Sequence, residues 1–294
     1  MKKILYYDCF AGISGDMNLG AMIDIGVSPD FLIGELKKLN LDGYQIHVST
    51  QQRKGITGTQ VKVALTGDNL ENDHNHGHGH GHGHGHDHHH HGHSHHRISI
   101  LERLKRRIIP EYYEEFEREH HHHHDGDRNI KDIEKIVNES ALSDKVKSMS
   151  MDIFRLIAQA EAKIHGKPIE EVHFHEVGAV DSIVDIVGAA ICIEYLAPDR
   201  IISSPVEMGG GFVDCAHGRF PVPAPATLEI MKGKPMKLGA VPFEMTTPTG
   251  AAILAALVDE FTEKMSVTIL KTGYGIGQRD TEIPNVLRVC MAEI

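Results

Sequence analysis

Tryptophan is absent from this 294-residue chain, and aromatic residues make up only 5% of it. A core built from it must be mostly aliphatic, and the 40% hydrophobic content is enough to form one. Cysteine is scarce. Cys9, Cys192, Cys215 and Cys290 are scattered, with no Cys-x-x-Cys pair. That speaks against a disulfide framework and fits a reducing compartment. Positive charge is also in short supply, with 30 Lys and Arg against 41 Asp and Glu and a net charge of −11. Such a balance argues against a nucleic-acid or anionic-membrane partner. No apolar stretch reaches membrane-spanning length without a charge. The opening Lys2-Lys3-Ile4-Leu5-Tyr6-Tyr7 resembles a secretory leader for only a few residues before Asp8 and Asp16 interrupt it, and no small-residue cleavage site follows. The expectation is a cytoplasmic protein.

Histidine is what the chain has in excess. There are 24, of which 19 sit in two internal tracts. The first comprises His74, His76, His78, His80, His82, His84, His86, His88, His89, His90, His91, His93, His95 and His96. The second is His120 to His124. Neutral imidazole is the commonest protein ligand for borderline divalent metals. Both tracts are internal, whereas affinity tags are usually terminal. The alternation of His with Gly lacks the fixed pair spacing of a zinc finger, so labile binding of several ions is expected. Imidazole suits zinc, copper and nickel alike, and composition does not choose among them. A His-rich low-complexity linker is the plainer alternative.

Local patterning predicts a mixed α/β (α+β) class, with short mixed sheets, packed helices and no internal repeat. A β-α-α-β-β unit is expected over residues 1–66, with strands at Ile4 to Tyr7, Tyr44 to Ser49 and Gly58 to Leu65, and helices from Asp16 to Ile25 and Phe31 to Leu39. Residues 67–128 read as a flexible His-rich insertion, too poor in apolar residues to offset chain entropy, with a basic helical stretch from Arg97 to Ile109. Residues 129–294 read as an α/β core domain. Its helices are expected at Ile130 to Ser140, Ser143 to His165, Asp181 to Leu196 and Pro248 to Phe261, and its closing strands at Ser266 to Lys271 and Asn285 to Ala292.

The densest chemistry lies in His173-Phe174-His175-Glu176, followed by Asp181 and Asp185. In an extended segment His173 and His175 share a side. Asp181 and Asp185, four apart, share a helix face. Imidazoles and carboxylates converging where a strand meets a helix would make a metal or acid/base site. The plain alternative is a solvated junction with Asp181 as N-cap, but an acidic pair on an apolar helix is costly without a partner.

A second candidate is Asp8-Cys9-Phe10-Ala11-Gly12-Ile13-Ser14-Gly15-Asp16. Its loop and helix start can present N–H groups to an anion, or Asp8 and Asp16 can hold a cation, or the segment is only a tight turn. It lacks the P-loop lysine. Gly209-Gly210-Gly211 would let backbone approach a ligand, and Cys215 with His217 forms a weak ligand pair. Thr246-Thr247-Pro248-Thr249-Gly250 has good N-capping chemistry and could bind phosphate at the same helix start. Gly273-Tyr274-Gly275-Ile276-Gly277 reads as a hairpin-like loop, with Arg279 facing either solvent or a phosphate.

Tyr7 to Met17 and Val172 to Asp185, followed by Thr246 to Gly250, Gly273 to Gly275 and Pro284-Asn285-Val286-Leu287-Arg288, resemble the LarC family of nickel insertion proteins. The resemblance covers essentially everything outside the His-rich insertion. It implies insertion of nickel into pyridinium-3,5-bisthiocarboxylic acid mononucleotide, giving the nickel-pincer cofactor of lactate racemase-type enzymes. That is a nickel chelatase of the lyase class, dependent on CTP with a divalent cation. In such a protein His173, His175, Glu176, Asp181 and Asp185 would form the transfer site. The His74 to His96 tract would collect nickel. Asp8, Ser14, Gly15, Asp16, Thr246, Thr247, Thr249, Gly250 and Arg279 would bind the precursor or its phosphate. Full-length members carry a further carboxy-terminal domain with which the nucleotide site is associated, and in parts of the family the two portions are separate chains. The implied partners are the mononucleotide, that carboxy-terminal portion and the apo racemase-type enzyme, with a homo-oligomer left open. Two other readings stand beside it: a nickel storage or carrier protein without catalysis, and a metal-dependent hydrolase.

Overall fold

The computed structural model describes residues 2–65, 128–174, 179–215 and 218–294. The two His tracts, the Arg97 to Ile109 stretch, His175, Glu176 and His217 lie outside the described residues. The expected mixed α/β class is observed.

The first described segment shows the expected order of elements, although its second helix is Pro29–Leu36 and not Phe31 to Leu39, and the strand expected to end at Ser49 runs on to Arg53. Strand β1 (Lys3–Asp8) leads into helix α1 (Gly15–Asp24), which is followed by α2 (Pro29–Leu36). Ser28 caps α2 by accepting from Phe31 N, with Pro29 at the first helical position. Strands β2 (Tyr44–Arg53) and β3 (Ile56–Leu65) form a hairpin across Lys54 and Gly55. Both turn residues have positive φ, 48° and 86°, the backbone that a two-residue turn needs to match strand twist.

In the second described segment a short β4 (Arg128–Asn129) precedes α3 (Ile130–Glu139), which opens with a capping box between Asn129 and Asp132. Helix α4 (Asp144–His165) is capped by Ser143 and ends at Gly166 in the left-handed conformation. Strand β5 (His173–Phe174) pairs with β4. Helix α5 (Val180–Leu196) ends at Ala197. Strands β6 (Arg200–Ser203), β7 (Val206–Glu207), β8 (Phe212–Cys215) and β9 (Gly218–Pro221) follow, then α6 (Pro225–Ile230) and β10 (Met236–Lys237). Helix α7 (Pro248–Leu257), β11 (Glu260–Phe261), β12 (Thr268–Ile276) and β13 (Val286–Glu293) complete the order.

Seven strands make one sheet, in the order β11-β6-β1-β13-β12-β3-β2. Strands from 1–66 and from 129–294 therefore share it. β1 lies between its parallel neighbour β6 and its antiparallel neighbour β13, with Asp8 opposite Arg288. The period of two sorts β1: Leu5 and Tyr7 join the main core, while Ile4 joins Ile202 and Ala292 in a smaller cluster flanked by Tyr6, Met265 and Val267. Helix α1 packs on β12 and β3 and against α5, so nearly its whole surface is buried. Helix α4 in turn packs against α5 and α7. As composition requires, the core is aliphatic, with Phe154 and Phe174 among its few rings.

Two further expectations are corrected. Helix α7 stops at Leu257 and does not run to Phe261. Asp259 turns the chain into the sheet edge: its N–H donates to the Ile201 carbonyl at 2.8 Å and its carboxylate accepts from Ile201 N at 2.8 Å. Gly273 to Gly275 is strand and not loop, because β12 extends to Ile276. These glycines let α1 lie directly on the strand. A Cβ at Gly275 would stand 1.8 Å from the Met17 carbonyl oxygen, and one at Gly273 would stand 2.5 Å from that of Ala21.

Candidate functional site

Backbone stitching brings three helix starts together. The loop after β1 is joined to the segment before α7 by a bridge between Ile13 and Thr246 and by Thr247 N donating to Ile13 O at 3.1 Å. Gly250 permits this approach, since a Cβ there would be 2.2 Å from Ile13 O. Helix α5 crosses close to α1 at Gly188 and Leu19, and again where Asp185 meets Gly15. A cavity of about 290 Å³ opens where these elements meet. Ser14, Gly15 and Asp16 reach it from the start of α1, Asp181, Ser182 and Asp185 from the first turns of α5, and Thr247, Pro248 and Thr249 from the start of α7, with Val63, Glu244 and Gln278 completing the wall. A second cavity, of about 190 Å³, shares Ser14, Asp16, Glu244, Thr247 and Gln278 with it and adds Arg279 and Asn285.

The helix starts are capped unequally. Thr247 accepts from Gly250 N at 3.2 Å, so α7 is capped. Neither Ser14 nor Ala179 caps its helix with a side chain. The Ser14 hydroxyl donates to Asp16 Oδ1, which also accepts from Met17 N at 2.9 Å, and Asp16 Oδ2 accepts from Gln278 Nε2 at 3.2 Å. Asp181 Oδ1 accepts from Ser182 N at 2.8 Å. The aligned peptide dipoles give each helix start a partial positive charge suited to an anion.

Carboxylates dominate the same cavity. Among the described residues lining it, Asp16, Asp181, Asp185 and Glu244 are acidic and none is Lys or Arg. Asp185 Oδ1 is shielded from solvent and has no hydrogen-bond partner among the described residues. Burial, and after it the charges of Asp16 and Asp181, push the Asp185 carboxyl well above the usual carboxylate range. Among the described residues no three or more His, Cys, Asp and Glu side chains are already gathered as a metal-holding set.

Several expected site residues meet here: Ser14, Gly15, Asp16, Asp181, Asp185, Thr247 and Thr249. Arg279 is exposed beside the smaller cavity, 5.6 Å over the Phe243 ring and 3.5 Å from the Glu244 carbonyl oxygen. Others are elsewhere. Asp8 accepts from Arg288 Nε at 2.9 Å and also from Nη2, on the neighbouring strand, and does not line the cavity. Thr246 is buried and donates to the Glu207 carbonyl at 2.7 Å, and Gly250 serves packing. His173 is exposed on β5 and is not among the residues lining either cavity. The three glycines from 209 to 211 approach backbone and not a ligand: a Cβ at Gly209 would be 1.9 Å from Phe243 O, and one at Gly211 would be 2.4 Å from Pro242 O. Glu244, Gln278 and Ser182 were missed by sequence reasoning, although each lies within or beside a segment that it marked out.

The sequence model of a family described as "Nickel insertion protein" matches residues 5–294. A Clostridium kluyveri protein named pyridinium-3,5-bisthiocarboxylic acid mononucleotide nickel insertion protein is 54% identical over 292 residues, covering 99% of this chain and 62% of that protein. Proteins of the same name from Clostridium acetobutylicum and Geobacillus kaustophilus are 55% and 43% identical, with 64% and 60% of their lengths covered. The chain thus spans somewhat under two thirds of these relatives. No solved structure matches it. With its family pattern matched almost from end to end, the chain belongs to the nickel insertion protein family.

Proposed function

We propose that this chain is the nickel- and mononucleotide-handling portion of an enzyme that inserts nickel into pyridinium-3,5-bisthiocarboxylic acid mononucleotide. The observation that carries the reading is the cavity where the α1, α5 and α7 starts meet the carboxylates of Asp16, Asp181 and Asp185. Partial positive charge at helix ends suits the phosphate of a mononucleotide. Carboxylates without a cationic side chain beside them suit the incoming metal ion. A site that is not a closed cage fits an ion that must leave again, because a fully ligated structural site holds its metal. Family membership and the names of the relatives support the same reading.

In this reading nickel is a substrate. The His74 to His96 tract gathers it, and His173, His175 and Glu176 pass it towards Asp181 and Asp185. Ser14, Gly15, Asp16, Thr247, Thr249 and Arg279 hold the precursor. The enzyme is a nickel chelatase of the lyase class, acts in the cytoplasm, and uses CTP with a divalent cation through the further portion that the longer relatives contain. Its product is delivered to an apo racemase-type enzyme.

The test is nickel incorporation into the precursor by this chain supplemented with the remaining portion of a relative. Asp185→Asn is expected to lower the rate at least about 100-fold, the scale of losing a positioned acid/base or ligand group. Undiminished incorporation by that variant, or none by the wild type, overturns the reading. The density of imidazole favours one alternative, a carrier without chemistry. That alternative expects loss of function on deleting residues 74–96 and silence at His175 and Asp181.

A further inference from the structure

The oxygen of Asp185 that has no partner among the described residues has a use that nickel handling does not by itself require. Neither Ser14 nor Ala179 caps its helix, although Asp16 accepts from Met17 N and Asp181 from Ser182 N, and both helix starts open on the cavity that Asp185 lines. The partly positive ends of these helices therefore stand beside a carboxylate oxygen that has no partner among the described residues. A phosphate alone would meet the Asp16 and Asp181 carboxylates as like charges. A cation alone would find no ready set of three protein ligands among the described residues. Together they answer both demands. Small hard cations such as Mg²⁺ seldom occupy all-protein cages; they take one or two carboxylates and complete their shell with phosphate oxygens and water.

We propose that the cavity binds a phosphate monoester together with a hard divalent cation of the Mg²⁺ or Mn²⁺ class. Asp185 and Asp16 face the cation, and the starts of α1, α5 and α7 face the phosphate oxygens. The proposal rests on the reading of this cavity as a mononucleotide site. It adds that occupancy is metal-dependent, through an oxygen-ligated ion distinct from the nickel that imidazoles would collect.

Mn²⁺ suits the test because imidazole holds it weakly compared with nickel, copper or zinc. With the full chain, nicotinamide mononucleotide, itself a pyridinium mononucleotide, is titrated by calorimetry with and without Mn²⁺. Bound Mn²⁺ is followed through the loss of its free electron paramagnetic resonance signal. Mn²⁺ should tighten mononucleotide binding at least about tenfold, and the mononucleotide should tighten Mn²⁺ by the same factor, since coupling between ligands is reciprocal. Nicotinamide riboside, which lacks the phosphate, should show no coupling. Asp185→Asn, nearly the same shape, should abolish it, and Asp16→Asn on a different helix should do the same. Equal mononucleotide affinity with and without Mn²⁺, or coupling that survives both substitutions in folded protein, overturns the proposal but leaves a mononucleotide site standing. Absence of mononucleotide binding under either condition overturns both.

Discussion

Asp185 concentrates the conflict between folding and function in one side chain. Its folded carboxyl keeps the proton to higher pH than the unfolded chain does, because burial and the Asp16 and Asp181 charges oppose ionisation. Over that window the folded state binds more protons than the unfolded state. Stability should then fall as pH rises from the ordinary carboxylate range through the raised value. Asp185→Asn should remove this slope and melt higher than wild type at the alkaline end. Thermal melts of both proteins at several pH values check this, and parallel curves would refute it. Gly15 is the neighbouring constraint. A Cβ there would stand 2.2 Å from Asp185 Oδ2, so Gly15→Ala must move the carboxyl or the helix start. A cost of about 1–3 kcal/mol by denaturant unfolding is expected, as for other overpacked sites. The i, i+4 spacing made the pairing of Asp181 with Asp185 legible in the sequence. The approach of Asp16 was not legible, since nothing local states which loop α5 will cross.

Among elements, helix boundaries were read well where a local device was used, such as Ser143 and Gly166 at the two ends of α4, whereas the Ser28 cap with Pro29 was passed over and α2 was expected from Phe31 to Leu39. Other misreadings came where tertiary contact overrode local preference. Glycines at 273 and 275 suggest a loop, yet they are strand residues flattened to receive α1. Gly275→Ala would drive a methyl into the Met17 carbonyl and should cost about 3 kcal/mol or more, measured as loss of unfolding free energy. The α7 start offers a milder contrast. Removing its capping hydroxyl by Thr247→Ala should cost about 1 kcal/mol. A cost near that of Gly275→Ala would mean that Thr247 does more for the fold than cap one helix.

For the whole molecule, composition foretold an aliphatic core and local patterning a mixed α/β class, but neither foretold the strand order. Pairing of β1 with β13 joins residues at opposite ends of the sequence, and no periodicity encodes it. The same scale governs the His tracts. If they gather nickel, deleting residues 74–96 should lower the number of nickel ions bound per chain in equilibrium dialysis. It should leave binding of Mn²⁺ with mononucleotide unchanged, because oxygen and imidazole ligands sort these metals. A matched loss of both would place them in a single site.

The central seat of β13 carries a consequence for synthesis. β1 is made long before its antiparallel neighbour, which lies among residues 286–293. Until that segment emerges, β1 and β12 each keep an open flank. Growth in the cell should therefore make this polypeptide lean on chaperones until residues 286–293 have been made.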